Sequence, residues 1–269
     1  MITYWMSAAK TPVNVLILVT GSIAAVKVGL LLDQLFNESY QVRIAATKSA
    51  FHFLNRAQKP ARELPLHHIL TDEDEWREWQ GMNDAVMHIE LRRWAHLVVI
   101  APLDANSLAK LSNGLCDNLV TCVMRSWEVK KKPVILCPSM NTAMWTHPVT
   151  AMQLKTLQSW YALTPVGLRL DTDETDGYIT ALPSNLDEAM FQIVWPVKKR
   201  LACGDVGIGG MASVDAIARV IQHTAELIRA KNPNATTNGT ACEEKKTGEQ
   251  APLSGEQQGT IAEGHQVSS

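Results

Sequence analysis

Three short runs of this chain carry almost nothing but aliphatic side chains: Val13–Thr20 (VNVLILVT), Leu97–Ala101 (LVVIA) and Val134–Cys137 (VILC). A run without polar alternation reads as a strand buried on both faces, which is the condition of a central strand in a parallel sheet. Helical spacing lies between the runs. Ala24, Val28, Leu31 and Leu35 recur every three or four residues, predicting a helix from about Ser22 to Phe36. Gln41–Ala46 (QVRIAA) reads as a second strand, and Met87–Ala95 as a short helix with Ile89, Leu91 and Trp94 partly buried. Strand and helix in alternation predict an α/β fold: a doubly wound parallel sheet with helices on both faces, a flavodoxin- or Rossmann-like three-layer sandwich.

The remaining segments fill in this scheme. A short helix is expected from about Ser49 to Asn55, capped by Thr47 or Ser49. The acidic run Thr71–Glu75 reads as solvated surface or a helix start and is given no chemistry. Pro102–Ser107 reads as a polar loop, Ser107–Ser112 as a helix stopped by Gly114, and Asp117 as the cap of a helix through Trp127. Val149–Trp160 is expected to be helical and Tyr161–Val166 a further strand. Gly167–Pro196 is turn-rich and acidic, an expected insertion with an amphipathic piece at Leu186–Val194. Gly207, Gly209 and Gly210 make a pliable turn, and Val214–Arg229 a last amphipathic helix. The expected organisation is a loose arm over 1–12, one domain over 13–230, and a polar tail over 231–269 too poor in apolar residues to fold.

Composition narrows the function classes. A net charge of −2 gives no reason to expect nucleic acid or an anionic membrane surface. No apolar run approaches the ~18 residues of a membrane span. The five cysteines form no CxxC pair and no zinc spacing, and no leader precedes them, so no metal is expected and a reducing, cytoplasmic setting is.

The polar residues that stand out fall after strands, where ligands bind in open α/β sheets. Gly21-Ser22 opens a helix whose free N–H groups suit an anion, although such a glycine is also an ordinary turn. Thr47 follows the second strand, and Asp104, Ala105, Asn106 and Ser107 follow the LVVIA strand. Pro138–Trp145 (PSMNTAMW) follows VILC and sets one amide, Asn141, among Met140, Met144 and Trp145, a frame suited to a planar cofactor and a small substrate. Cys203 lies beside Lys198, Lys199 and Arg200, which bias a thiol toward thiolate. His88 starts its helix, and a lone histidine is more often structural than catalytic.

GSIAAVK (Gly21–Lys27), HIELRRWA (His88–Ala95), APLDANSLAK (Ala101–Lys110), GLCDNL (Gly114–Leu119), PSMNTAMW (Pro138–Trp145) and KKRLACGD (Lys198–Asp205) occur in one order. In this the chain resembles the phosphopantothenoylcysteine decarboxylases, a branch of the homo-oligomeric flavin-containing cysteine decarboxylase family, from about Val13 to Arg229. The resemblance implies FMN as cofactor and 4′-phosphopantothenoylcysteine as substrate, decarboxylated to 4′-phosphopantetheine for coenzyme A synthesis. The implied route oxidises the substrate thiol to a thioaldehyde, releases carbon dioxide, and reduces the resulting enethiolate. It implies that His88 acts beside flavin and substrate, that Asn141 holds the substrate's cysteinyl carboxylate or amide, and that Cys203 protonates the enethiolate. It implies FMN contacts from Gly21, Ser22, Ile23, Thr47, Asp104, Ala105, Asn106, Ser107 and Ser139. Arg200, Ala202 and Met211 would belong to a substrate flap. A homotrimer is implied, with His88 of one protomer opposite Asn141 and Cys203 of a neighbour. Asp104 departs from the serine that many relatives carry.

The main alternative is a non-enzymatic regulator of the halotolerance type, which inhibits a protein phosphatase. Such regulators commonly carry long acidic tails, and some lack the Asn or Cys; this chain has both Asn141 and Cys203, and its tail is mixed in charge. A nicotinamide-type Rossmann protein is disfavoured because no GxGxxG follows the first strand.

Overall fold

A computed structural model describes residues 11–36, 39–56, 69–164, 167, 182–201 and 204–231. Among these, six strands form one parallel sheet: β1 (Val13–Val19), β2 (Tyr40–Ala46), β3 (Ile69–Leu70), β4 (Leu97–Leu103), β5 (Val134–Pro138) and β6 (Phe191–Ile193). The strand order is β3-β2-β1-β4-β5-β6, so the direction of winding reverses between β1 and β4. A crevice opens at the carboxyl ends of the strands at such a reversal. β7 (Val197–Arg200) and β8 (Val206–Gly210) form a separate antiparallel ribbon.

The helices are α1 (Val28–Leu35), α2 (Phe51–Leu54), α3 (Asp72–Glu78), α4 (Met87–Trp94), α5 (Ala105–Ser112), α6 (Leu119–Arg125), α7 (Thr142–Thr146), α8 (Pro148–Tyr161) and α9 (Val214–Lys231). β1 shows why they sit on both faces. Val15, Ile17 and Val19 cluster with Leu31 and Leu35 of α1 and Ile217 and Ile221 of α9. Leu16 and Leu18 point the other way, to Leu91 of α4, Leu108 of α5, Val123 of α6 and Leu154 of α8. All five strand residues are fully buried, so truncating one to alanine costs about 2–5 kcal/mol. The expected doubly wound sandwich is therefore present. No described helix is long and apolar enough to cross a membrane.

Local details differ from expectation for identifiable reasons. The first turn after Ser22 is a 3-10 turn, Ile23–Lys27, and only then does α1 begin. Thr47 precedes the 3-10 turn Lys48–Ala50 but makes no side-chain cap bond there; its hydroxyl lies 3.1 Å from Ser49 Oγ. Ala105–Ser107 are the first turn of α5 rather than loop, because Asp104 caps that helix. The cap of α6 is Asn118, whose Oδ1 accepts the Thr121 N–H at 2.9 Å; Asp117 is paired with Lys110 Nζ at 2.5 Å instead.

Tyr161 is the last residue of α8, and no strand occupies Ala162–Thr164. Its ring stacks on Phe191 and its hydroxyl donates to Met124 O at 3.0 Å, so the aromatic residue anchors a helix end. Leu186–Val194, expected as an amphipathic piece of an insertion, contains the 3-10 turn Glu188–Met190 and the edge strand β6. The period there is two: Phe191 and Ile193 are buried, and Gln192 between them donates to Thr224 Oγ1 at 2.8 Å. Gly207, Gly209 and Gly210 lie in β8, not in a turn. The acidic stretch 168–181, most of the arm at 1–10 and the tail from 232 lie outside the described residues.

Candidate active site

Strand ends converge at the reversal between β1 and β4. Thr20 Oγ1, fully buried, donates to Pro102 O at 2.8 Å and accepts the Asp104 N–H at 2.8 Å, fastening the end of β1 to the end of β4. Ser22 fastens β1 to β5. Its Oγ accepts the Ala24 N–H at 3.4 Å, capping the 3-10 turn, and donates to Ser139 Oγ at 2.9 Å. The Ser139 N–H in turn donates to Leu103 O at 2.8 Å. Asp104 Oδ1 accepts the Ser107 N–H at 2.7 Å. Gly21 sits in the middle: a Cβ there would overlap Ser49 Oγ and come within 3.1 Å of Asp104 Oδ2. Glycine is what lets the chain segments following β1, β2 and β4 approach this closely.

Beside this junction lies a cavity of about 430 Å³. Ile23, Ala24, Val26, Met140 and Met211 give it apolar walls, Ser22, Ser139 and Asn141 polar points, and Lys27, Lys199 and Arg200 a cationic rim. Asn141 is held as the cap of α7, its Oδ1 accepting the Ala143 N–H at 2.8 Å. The β7–β8 ribbon docks on the same stretch through the Met140 N–H, which donates to Gly209 O at 2.9 Å. Gly209 has φ +129°, and a Cβ there would collide with Met140 O. Lys199 Nζ donates to Met211 O at 2.9 Å. Burial, and then the like charge of Lys27, pull the Lys199 ammonium below its ordinary range. Two neighbouring cations on one wall suit an anionic ligand.

Of the residues expected from sequence, Ser22, Ile23, Ser139, Asn141, Arg200 and Met211 line this cavity together. Gly21 and Asp104 meet at the strand junction, and buried Thr47 joins its edge, its N–H donating to Val19 O at 3.0 Å. Ala105, Asn106 and Ser107 form the adjoining first turn of α5; Ser107 is buried and Asn106 exposed. Ala202 and Cys203 lie outside the described residues. His88 is not part of the cavity lining. It sits in the first turn of α4, which packs on α3 and α6, with Nδ1 2.5 Å from Glu75 Oε1.

Three contributors went unassigned in the sequence reading. Lys27 stood in the GSIAAVK motif without a role of its own, and Lys199 figured only as one of the cations beside Cys203, not as a binding residue. Glu75 was set aside with its acidic run. The run is a helix start: Thr71 and Asp74 form a reciprocal capping box, and Glu75 follows it into the protein, where it is buried. The box was legible in Thr71-Asp72-Glu73-Asp74; the partner of Glu75 was not.

Comparison with known proteins comes to the same region of chain. The model of the Flavoprotein family matches residues 5–226. A phosphopantothenoylcysteine decarboxylase of Arabidopsis thaliana is 40% identical over 228 residues, covering 85% of this chain and 90% of that protein. Among solved structures, a cysteine-to-serine variant of PPC decarboxylase complexed with pantothenoylaminoethenethiol matches with TM-score 0.62 and 39% identity, over 80% of this chain and all of the other. The FMN-binding protein AtHal3 matches with TM-score 0.59 and 39% identity, over 79% of this chain and 96% of that one.

Proposed function

Because this chain belongs to the Flavoprotein family, with residues 5–226 matching it, we propose that it is an FMN-dependent enzyme that decarboxylates 4′-phosphopantothenoylcysteine to 4′-phosphopantetheine. The observation that carries the reading is the cavity at the strand reversal, where Ser22, Ile23, Ser139, Asn141 and Arg200, all five from motifs shared with such decarboxylases, meet Met211 of the expected flap.

The junction fits a flavin phosphate and ring. Gly21 is kept free of a side chain among Ser49 and Asp104, and the buried hydroxyls of Ser22, Thr47 and Ser139 surround it. Ile23, Met140 and Met211 supply flat apolar contact. Bound here, FMN supplies the two-electron exchange with the substrate's thiol-bearing carbon that turns an otherwise unreactive carboxylate into a leaving group.

The chain's own residues hold and direct the substrate. Lys27, Lys199 and Arg200 meet a molecule that carries both a phosphate and a carboxylate. The Asn141 side chain, fixed by its cap bond, orients the cysteinyl end. The ribbon of β7 and β8 lines the cavity through Lys199, Arg200, Gly209 and Gly210, and Cys203, which falls between the two strands in sequence, supplies the proton that ends the reaction. His88 reaches the reacting atoms from a neighbouring copy, in a homotrimer. That arrangement is supported by its place outside the cavity and by the exposed Trp76, Trp79, Met82 and Val86 on the α3–α4 side of the protomer.

Incubation of the purified, flavin-loaded protein with 4′-phosphopantothenoylcysteine tests the proposal. Product lighter by one carbon dioxide is expected, with release blocked in His88→Asn and an oxidised enethiol accumulating in Cys203→Ser. A protein that binds no flavin, or returns the substrate unchanged, would overturn it and favour a regulatory role.

A further inference from the structure

We propose that Glu75 is a positioning residue for His88, fixing which ring nitrogen carries the hydrogen and which way the ring faces; the inference rests on the catalytic reading of His88 above. The two residues come from different helices, 13 positions apart, and meet with Nδ1 2.5 Å from Oε1. An ionised carboxylate can only accept a hydrogen bond, so Nδ1 must carry the hydrogen. The other nitrogen, Nε2, is then the one left to exchange a proton with whatever it meets. A carboxylate acting on an imidazole in this way sets tautomer and orientation without touching the reacting atoms.

The surroundings make Glu75 a fixed point rather than a mobile acid. Its side chain is only 10% exposed, against 26% for that of His88. The capping box at Thr71 and Asp74 fixes the first turn of α3, and Glu75 donates its N–H to Thr71 O at 3.2 Å. α3 is fastened to its neighbour as well: the Asp72 carboxylate accepts the Leu119 N–H at the start of α6, at 2.6 Å. Cys122 of α6 completes the group, with its sulfur, the imidazole and the carboxylate within 4.8 Å of one another. Burial first, and then the charge of Glu75, push the Cys122 thiol up to about 11. It therefore stays uncharged near neutrality and leaves the carboxylate to the imidazole.

The test uses the full-length, flavin-loaded protein in three variants, E75A, E75Q and H88N, reading kcat and KM for carbon dioxide release, flavin content and melting temperature. E75A is expected to lower kcat roughly 10- to 100-fold, the scale on which losing the partner that orients a metal-bound histidine acts, with KM and flavin content unchanged. Added formate should restore part of the E75A rate by filling the vacated carboxylate position. E75Q, which keeps an acceptor for Nδ1–H, should fall between E75A and wild type. Wild-type kcat in E75A alongside an inactive H88N would overturn the positioning role while leaving the decarboxylase reading intact. A loss that follows flavin content and melting temperature, with no response to formate, would reduce Glu75 to a structural residue. An active H88N would remove the catalytic reading of the histidine, and the positioning role with it.

Discussion

Ser22 Oγ donates to Ser139 Oγ at 2.9 Å, joining the ends of β1 and β5 across 117 positions of sequence. Both hydroxyls are nearly buried and both line the cavity. Replacing Ser139 by Ala leaves the Ser22 hydroxyl without its acceptor and removes one polar point from the proposed flavin site. One hydrogen bond is worth about 1 kcal/mol net, so S139A should bind FMN roughly fivefold more weakly, as read by quenching of flavin fluorescence on titration of apoprotein. Unchanged affinity would place the flavin away from Ser139.

The cationic wall predicts how binding depends on charge and pH. Removing one charged hydrogen-bonding partner costs about 1.5–3 kcal/mol, so K27M should raise KM for the phosphorylated substrate by roughly tenfold or more with kcat little changed. Burial and Lys27 hold Lys199 below the ordinary ammonium range. As pH rises, Lys199 therefore loses its charge earlier than a solvent-exposed lysine would, and KM should climb correspondingly early on the alkaline side. K27M, which removes the neighbouring charge, should move that climb to higher pH. A KM that ignores both the substitution and alkaline pH would exclude this wall from substrate binding.

Gly209 allows the ribbon to lie against the cavity floor. Its φ of +129° is one that L side chains rarely adopt, and a Cβ would strike Met140 O. G209A should therefore cost more than about 1 kcal/mol and loosen the ribbon over the cavity. The expected readings are a lower melting temperature, raised KM and faster proteolysis near β8. Wild-type values on all three would mean that the ribbon does not dock as described.

The fold was legible because its evidence is local and repeated. The aliphatic runs that became β1, β4 and β5 bury both faces, and burial leaves no room for polar alternation. β6 was not legible: three residues are too few to show a period, and what makes them a strand is pairing with β5 and the Gln192–Thr224 bond to α9. The cavity was partly legible, since Ser22, Ser139 and Asn141 follow strands in sequence. Lys27 was not, because its value comes from lying near Lys199, 172 positions away. Glu75 was hidden for the same reason: an acidic helix start looks alike whether its fifth residue faces water or an imidazole.

The capping box that begins α3 makes a separate prediction about acid stability. Burial alone would raise the Asp74 carboxyl, but hydrogen bonds from the Thr71 hydroxyl and N–H, with Arg77 beside it, bring it below the ordinary carboxylate range. A carboxyl lowered in the folded state contributes stability that is present above its unfolded pKa and is lost as pH falls through the folded one. T71A removes the cap and one of those bonds, at a cost of about 1 kcal/mol. Melting temperatures should thus differ between wild type and T71A at neutral pH and converge in acid, below the usual carboxylate range. A gap that stays constant into acid would assign the effect to helix propensity alone.

The sharpest test of the proposed assembly is complementation. H88N and N141A should each be inactive as pure proteins. If His88 of one protomer serves the Asn141 cavity of the next, mixed oligomers contain some sites with both residues intact. In a closed ring of randomly mixed copies, a site draws its histidine and its asparagine independently, so about one quarter of the sites should be whole. Equal amounts of the two variants, unfolded together and refolded with FMN, should recover activity near that fraction, whereas the two refolded apart and then mixed should recover little until subunits exchange. If His88 and Asn141 act within one protomer, every site lacks one of them and no mixing restores turnover. Since His88 lies outside the lining of its own protomer's cavity, recovery is the expected result.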